Sequence, residues 1–304
     1  MPQQALQNSL ISIILPAYNT PEEFLRAAIE SVTAQTYDKW ELLIIDDSTT
    51  APVENIVKSY TDDRIKYFRN PKNLGMANTR NRGLKLAQGE FIALLDHDDV
   101  WLPEKLIKQL EIMQQNGCNM VYSPVIYWGA DHGHSPVVHN VSFGDLLKGH
   151  NIISCSCVLL RAALIRNFNL EFHQQAVPAD DYAMWMSIAL YGGNIECTEE
   201  CLVRYRKHDN NTSGAPLACY PAYDWIYINI TKQLFSTQYS LKFKIQCLAA
   251  ILRSRAWVLR KIASEDNNLC AFKKLRLILK AIRLNPIHPQ GWRLLVKLTS
   301  GGKL

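Results

Sequence analysis

No apolar run in this 304-residue chain approaches the roughly 18 residues that a membrane-crossing helix needs. The opening residues, MPQQALQNS, also lack the basic and then apolar order of a secretory signal. Together these absences predict a cytoplasmic protein. Cysteine occurs eight times but with no framework spacing, which argues against a disulfide scaffold and agrees with a reducing compartment. Cys155-x-Cys157 and Cys197-x-x-x-Cys201 read either as half-sites for zinc or as plain buried thiols; both lie in apolar surroundings and neither has a matching second pair. No GxGxxG follows the first strand-like run, so a phosphate group is not held on a Gly-rich helix start. Acids are scarce at one end. From Leu241 to Leu304 there are 14 Lys or Arg against only Glu265 and Asp266, a charge of +12, whereas the other 240 residues carry −7. That shift predicts two functional units, residues 1–218 and 219–304.

What is present begins with alternation. Leu10 to Leu15 is an apolar, β-branched run stopped by Pro16, and Pro21 to Gln35 then carries Phe24, Ala28, Ile29 and Val32 at helical spacing. Trp40 to Ile45 reads as a second strand, Pro52 to Tyr60 as a helix, Ile65 to Phe68 as a strand, and Met76 to Gln88 as a helix leading into a strand at Phe91. Successive βα units predict an α/β fold with a mainly parallel sheet flanked by helices. Right-handed crossovers would put every strand end on one edge, where open α/β sheets bind ligands.

The stretch FIALLDHDDVW, Phe91 to Trp101, stands at the centre of this pattern. Its first half suits a strand buried on both faces. Its second half sets Asp96, Asp98 and Asp99 side by side, and three like charges this close repel unless a cation sits among them. Hard carboxylate oxygens suit Mg²⁺ or Mn²⁺, which take their remaining ligands from water and substrate phosphates. The competing reading is a polar turn in which Asp98 or Asp99 caps the helix that Pro103 begins. Pro16-Ala17-Tyr18-Asn19 after the first strand and Asp46-Asp47 after the second would share the same edge. Asp46 and Asp47 read equally well as caps of the next helix, Arg80 as the partner of a helix-face carboxylate, and Tyr18 as a half-buried aromatic.

The succession SIILPAYN, Gln35-Thr36-Tyr37, ELLIIDDST, NLGMANTRNRGLKLAQGEFIALLDHDD and ADDYAMW resembles the family-two nucleotide-sugar glycosyltransferases, over about residues 10–212. The resemblance implies the GT-A fold and inverting transfer of a sugar from a nucleotide diphosphate, UDP above all, to a hydroxyl acceptor. It implies that Pro16, Ala17, Tyr18 and Asn19 wall the nucleotide pocket, that Asp47 hydrogen-bonds the base, and that Arg80 and Asp96 lie near the nucleotide. Asp98 would meet the ribose or the metal, and Asp99 would coordinate the Mn²⁺ or Mg²⁺ bridging the diphosphate. In Pro178 to Trp185 the family's acidic pair is usually Glu then Asp, and here it is Asp180 then Asp181. Asp181 would be the general base, an assistance of ~10²–10⁴-fold. The alternative for the pair is a helix N-cap. His208, in the loop KHDNNTS, would be a further metal or diphosphate contact, or simply an exposed histidine. The Gln-x-x-Arg-Trp signature of processive synthases is absent, which predicts one sugar per encounter. A catalytically silent sugar-nucleotide binder or scaffold of the same fold is the second function class.

Trp128 to Asn151, with His132, His134, His139 and His150, reads as a long loop for acceptor contacts, its histidines solvated or a metal pair at His132-x-His134. The basic end reads as helical. Leu241, Ile245, Leu248, Leu252, Leu259 and Ile262 keep one apolar face, and Phe272, Leu275, Leu279 and Ile282 another, beside a basic row of Lys273, Arg276, Lys280 and Arg283. Such helices either pack on the catalytic domain with solvated charge or lie on an anionic membrane surface near a lipid-linked glycan acceptor. No aromatic or motif pattern supports nucleic acid.

Overall fold

The computed structural model describes residues 8–50, 52–129, 131–148, 151–208, 211, 216–266 and 269–299, and the side chains of these except 216–218. His150 and most of the 209–215 loop lie outside that set. The chain divides into two compact units, one comprising Met1–Ser142, Asn151–Gln174 and Ile188–Asn211, the other Phe143–His150, Gln175–Ser187 and Thr212–Leu304.

The first unit opens with the expected alternation: β1 (Ile11–Ala17), α1 (Glu22–Thr33), β2 (Trp40–Asp46), α2 (Glu54–Lys58), β3 (Ile65–Arg69), α3 (Met76–Leu86) and β4 (Phe91–Leu94). It continues through β5 (Val100–Trp101), α4 (Lys105–Asn116), β6 (Met120–Tyr122), β7 (Val125–Gly129), β8 (Gly133–His134), β9 (Val158–Arg161), α6 (Ala162–Asn167), β10 (Ile195–Cys197) and β11 (Val203–Lys207); α5 (Phe143–Leu146) and the first turns of α7 (Asp180–Leu190) belong to the second unit. Seven strands form the main sheet in the order β10-β6-β9-β4-β1-β2-β3, parallel except for β9, which runs antiparallel to β4 and β6. The fold is therefore the mixed, mainly parallel α/β architecture that the alternation predicts. β2 is buried along its whole length and β1 nearly so, as central strands covered on both faces must be. α3 lies so close to β1 that a Cβ on Gly83 would fall 2.3 Å from Ile14 Cγ2, so any larger residue would force that side chain or the helix to shift.

A second sheet, β5-β11-β7-β8, lies outside the sequence reading. The segment read as one long loop, Trp128 to Asn151, contains the end of β7, all of β8 and α5. These elements are too short to show periodicity; β7 pairs in parallel with β11, distant in sequence, and β8 pairs with β7. His132 and His134 are exposed there, and His139 Nε2 lies 3.0 Å from Glu199.

The second unit is helical: α5, the start of α7, α8 (Pro216–Ser236), α9 (Leu241–Glu265), α10 (Ala271–Leu284) and α11 (Pro289–Thr299). Tyr182 donates to the Leu146 carbonyl, Arg255 pairs with Asp224, and Ala263, Ile278 and Ile282 form a buried apolar cluster. The two apolar faces are buried only in part. On α9, Leu241 and Ile245 are exposed, while Cys247, Ile251, Val258 and Leu259 are buried. On α10 the inward residues are Lys274, Ile278, Ala281 and Ile282, which leaves Phe272 and Leu279 outside. Both helices carry two apolar stripes, and periodicity alone does not say which one finds a neighbour. Among the described residues, no helix is long and apolar enough to cross a membrane.

Candidate active site

β1, β2 and β4 are mutually parallel, with Ala17 level with Asp46 and Ile14 level with Leu94. Their C-terminal ends therefore deliver Pro16–Asn19, Asp46–Asp47 and Asp96–Asp99 to one edge of the sheet. Tyr18 is half exposed at that edge, and Asn19 adopts φ +46, its amide donating to Ser48 Oγ at 2.9 Å.

Asp46 and Asp47 divide the capping and site readings. Asp46 is buried and accepts from the amides of Ser48 and Val53 and from Tyr67 Oη at 2.7 Å, so it orders the entry to α2. Asp47 instead reaches across to α3. Its Oδ1 accepts from Asn70 Nδ2 at 2.7 Å and from the Leu74 amide at 2.8 Å, and its Oδ2 from the Gly75 amide at 2.9 Å. One carboxylate thus satisfies two amides at the entry to a helix that has no side-chain cap of its own. Gly75 takes φ +83 there, a left-handed conformation that favours glycine.

The acidic loop is tied down on three sides. Arg80, buried on α3, pairs through Nη2 with Asp96 Oδ1 at 2.8 Å, an inter-element pair rather than the helix-face pair that spacing allows. The Asp96 amide donates to Ser156 Oγ at 3.0 Å. Asp99 Oδ1 accepts from the Arg206 amide at 3.0 Å, because β5 starts directly after Asp99 and pairs with β11. The Arg206 guanidinium donates from Nε to the Asp98 carbonyl at 3.0 Å and lies between the Phe24 and Trp128 rings, 4.1 and 4.0 Å from their centroids. His208 Nε2 lies 3.0 Å from Asp98 Oδ2. Neither Asp98 nor Asp99 caps the following helix: α4 begins at Lys105 after a strand, with Glu104 at its N-cap.

Arg206 and Ser156 are functional candidates that sequence reasoning missed. Arg206 sits on β11, two residues before His208, and that proximity was the available signal. Ser156 lies in the apolar C-S-C stretch, where nothing marks it.

Electrostatics distinguishes Asp99 from its neighbours. Its side chain is buried, and its Oδ2 has no hydrogen-bond partner among the described residues. Burial first, then the charges of Asp98 and Asp96, push its pKa well above the usual carboxylate range, while the Ser156 hydroxyl and the Arg206 amide pull the other way. An orphaned buried oxygen among three acids is an arrangement that a divalent cation would relieve. Among the described residues, no group of three or more His, Cys, Asp or Glu is arranged to hold a metal by itself. Mg²⁺ needs no such cage, since one or two carboxylates suffice when phosphate and water complete its shell. The donor set therefore fits the ion that the acidic cluster predicts.

Asp180 and Asp181 belong to the second unit, in the first turn of α7. Asp180 is buried, and Asp181, partly exposed, accepts from the Tyr182 amide at 2.6 Å. Its charge helps raise the pKa of Tyr223 and of Cys219, each raised first by burial.

Comparison with known proteins adds an independent line. The family described as Glycosyl transferase family 2 matches residues 12–169, more than half of the chain. The chain belongs to glycosyl transferase family 2. It is 36% identical over 185 residues to the UDP-Glc:alpha-D-GlcNAc-diphosphoundecaprenol beta-1,3-glucosyltransferase WfgD of Escherichia coli, covering 60% of this chain and 71% of that one. Against a second E. coli protein of that activity, WfaP, it is 33% identical, covering 67% and 80%. Among solved structures, S. aureus TarS 1-349 with UDP-GlcNAc superposes with a TM-score of 0.66 at 18% identity over 96% of this chain and 92% of that one. A mannosyltransferase from Pyrobaculum calidifontis with GDP-Man and Mn²⁺ gives 0.60 at 15% identity over 95% and 86%. The chain spans about half of a longer TarS structure, with a TM-score of 0.69. These likenesses show the GT-A fold, and family membership makes the protein an inverting glycosyltransferase.

Proposed function

We propose that this glycosyltransferase moves a sugar from a UDP-linked donor to a hydroxyl of a lipid-diphosphate-linked glycan, working in the cytoplasm at the membrane face. The observation that carries the donor reading is Asp99, a buried carboxylate with an orphaned oxygen beside Asp96 and Asp98, at the edge where three parallel strands end. The acceptor class follows from what the E. coli relatives are named for, and the acid-poor helical region 219–304 agrees with it.

In this reading Pro16, Ala17, Tyr18 and Asn19 line the nucleotide, and Asp47 both meets the base and orders the 70–75 loop. Arg80 holds Asp96 in place beside the donor. Asp98 and Asp99, with His208 against Asp98, are the residues that would hold Mn²⁺ or Mg²⁺. A cation bound there supplies Lewis-acid neutralisation of the diphosphate. Asp181 takes the proton of the acceptor hydroxyl as its oxygen bonds to the anomeric carbon; the bond to the diphosphate oxygen breaks, its electron pair leaves with the nucleotide, and one displacement inverts the centre.

The test measures nucleotide release from a panel of UDP- and GDP-sugars, with and without Mn²⁺, using a polyprenyl-diphosphate-GlcNAc acceptor. Acceptor-dependent UDP release that Asp181→Asn lowers by ~10²–10⁴-fold, with donor affinity kept, is expected. Wild-type turnover in Asp181→Asn removes the base assignment. Donor binding without turnover on any acceptor would leave the silent binder.

A further inference from the structure

The outer face of α10 has a composition that packing inside the protein does not explain. Phe272, Arg276, Leu279 and Arg283 follow one another at spacings of four, three and four, and so lie on a single stripe. All four are exposed, Phe272 at 68% and Leu279 at 48% of their full surface. Lys273 and Lys280 flank the stripe, Lys280 with Asp224 at 3.8 Å, and α10 contains no acid. The pattern continues beyond it. Ile287, in the link to α11, is 91% exposed, and on α11 Trp292, Arg293, Val296 and Lys297 are all exposed. Trp292 is amphipathic in position as well as in kind, its Nε1 donating to the Pro286 carbonyl at 2.8 Å while much of its ring stays open.

Exposed apolar side chains scattered singly need no explanation, but five of them interleaved with cations on consecutive elements do. We propose that the outer faces of α10 and α11 are the surface by which this glycosyltransferase rests on an anionic lipid bilayer. Phe272, Leu279, Ile287, Trp292 and Val296 enter the headgroup boundary, and Lys273, Arg276, Arg283, Arg293 and Lys297 meet lipid phosphates. Charge complementarity selects this occupant. A second copy would bring like-charged faces together, since residues 241–304 hold 14 basic and two acidic side chains. Nucleic acid would use the cations but give Leu279, Ile287 and Val296 nothing to bury against. A bilayer interface takes both kinds of side chain, with aromatic rings at headgroup depth. The inference deepens the lipid-linked acceptor reading and rests on it for its purpose, though not for its test.

The test is flotation of the full chain with vesicles of phosphatidylcholine, with and without 30% phosphatidylglycerol (about that fraction gives a strong anionic surface). Binding only to the anionic vesicles, released by 0.5 M NaCl (about the salt that shortens screening to a few ångströms), is expected. Arg276→Gln with Arg283→Gln should weaken it roughly 30-fold, at about fivefold per cation. Phe272→Ser with Leu279→Ser should weaken it with the salt dependence kept. Equal binding to both vesicle types, unchanged binding in both double variants, or capture of RNA or a dimer by the same residues would overturn the proposal. Wild-type flotation and its salt release need no variant to fold. Turnover on a short-chain, water-soluble acceptor is measured in parallel. Flotation without turnover defeats the enzymatic reading alone, and turnover without flotation defeats the membrane surface alone.

Discussion

Replacing Lys105 by methionine should change how the stability of the protein depends on pH, and the size of the change follows from where the side chain sits. Lys105 is fully buried at the start of α4, with Nζ 2.7 Å from Gln109 Oε1, 3.2 Å from the Val158 carbonyl and 4.0 Å from the centre of the Trp101 ring. Burial pulls its pKa down from 10.5 to about 7, with Cys157 opposing the fall. Between those two values the unfolded chain holds a proton that the folded protein does not. Stability therefore rises with pH across this window, at about 1.4 kcal/mol per unit, and Lys105 contributes no slope below pH ~7, where both states hold the proton. Partial titration near pH 7 trims the gain from pH 7 to 9 to about 2 kcal/mol. Methionine fills a similar volume and does not titrate, so Lys105→Met lacks this slope. It also leaves Gln109 Oε1 and the Val158 carbonyl short of a donor, at about 1–3 kcal/mol, which shifts its curve down uniformly. Urea unfolding of both proteins at pH 6, 7, 8 and 9 separates the two effects. A stability difference that is the same at pH 7 and pH 9 would show that the ammonium stays charged in the core, held by the Trp101 face, and would refute the reasoning.

Three further outcomes can be measured. Asp99→Asn should make the metal-free protein more stable at neutral pH, because the raised pKa of Asp99 means that wild type loses stability as pH climbs above the unfolded carboxylate value; a mutant less stable than wild type at pH 7 in EDTA would contradict this. The same variant should lose Mn²⁺-dependent nucleotide affinity by calorimetry. Asp47→Ala strands the Leu74 and Gly75 amides and leaves Asn70 Nδ2 with Thr79 Oγ1 alone, and should cost roughly 2–4 kcal/mol in urea unfolding, whatever the nucleotide does. Gly83→Ala gains about 1 kcal/mol of helix propensity but drives a methyl against Ile14 Cγ2, so a net loss of roughly 1–2 kcal/mol is expected; an unchanged midpoint would mean that α3 shifts freely on β1.

The sheet was legible because its central strands are covered on both faces. Burial there demands unbroken apolar runs, and Leu10 to Leu15, Trp40 to Ile45 and the start of FIALLDHDD have no other use for so many Ile and Leu residues. The second sheet was not legible for the opposite reason. β5 and β8 are two residues long, too short to carry a pattern, and β5 pairs with β11, far along the chain. The acidic cluster shows the same division. Repulsion among Asp96, Asp98 and Asp99 is a property of neighbours in sequence and can be read directly. The groups that hold them, Arg80 on Asp96 and the Arg206 amide on Asp99, come from 16 and 107 residues away, where only the folded backbone supplies the pairing.

The C-terminal helices make the limit sharper, because there the sequence holds two answers and the fold selects one. Along α10, Phe272 and Leu279 and also Ile278 and Ile282 recur at helical spacing, so periodicity offers two candidate cores. The stripe with Ile278, Ala281 and Ile282 goes inside because small and branched side chains let α9 approach, with Ala256 and Ala263 facing them. The inward face takes a single cation, Lys274, whereas the outer stripe carries Arg276 and Arg283. Interleaving charge with Phe272 and Leu279 makes that face a poor interior and, by the same chemistry, a good surface for a boundary between water and lipid. The proposed lipid-facing role draws on that arrangement: Phe272 and Leu279, the apolar residues that α10 leaves outside, are the ones interleaved with arginines.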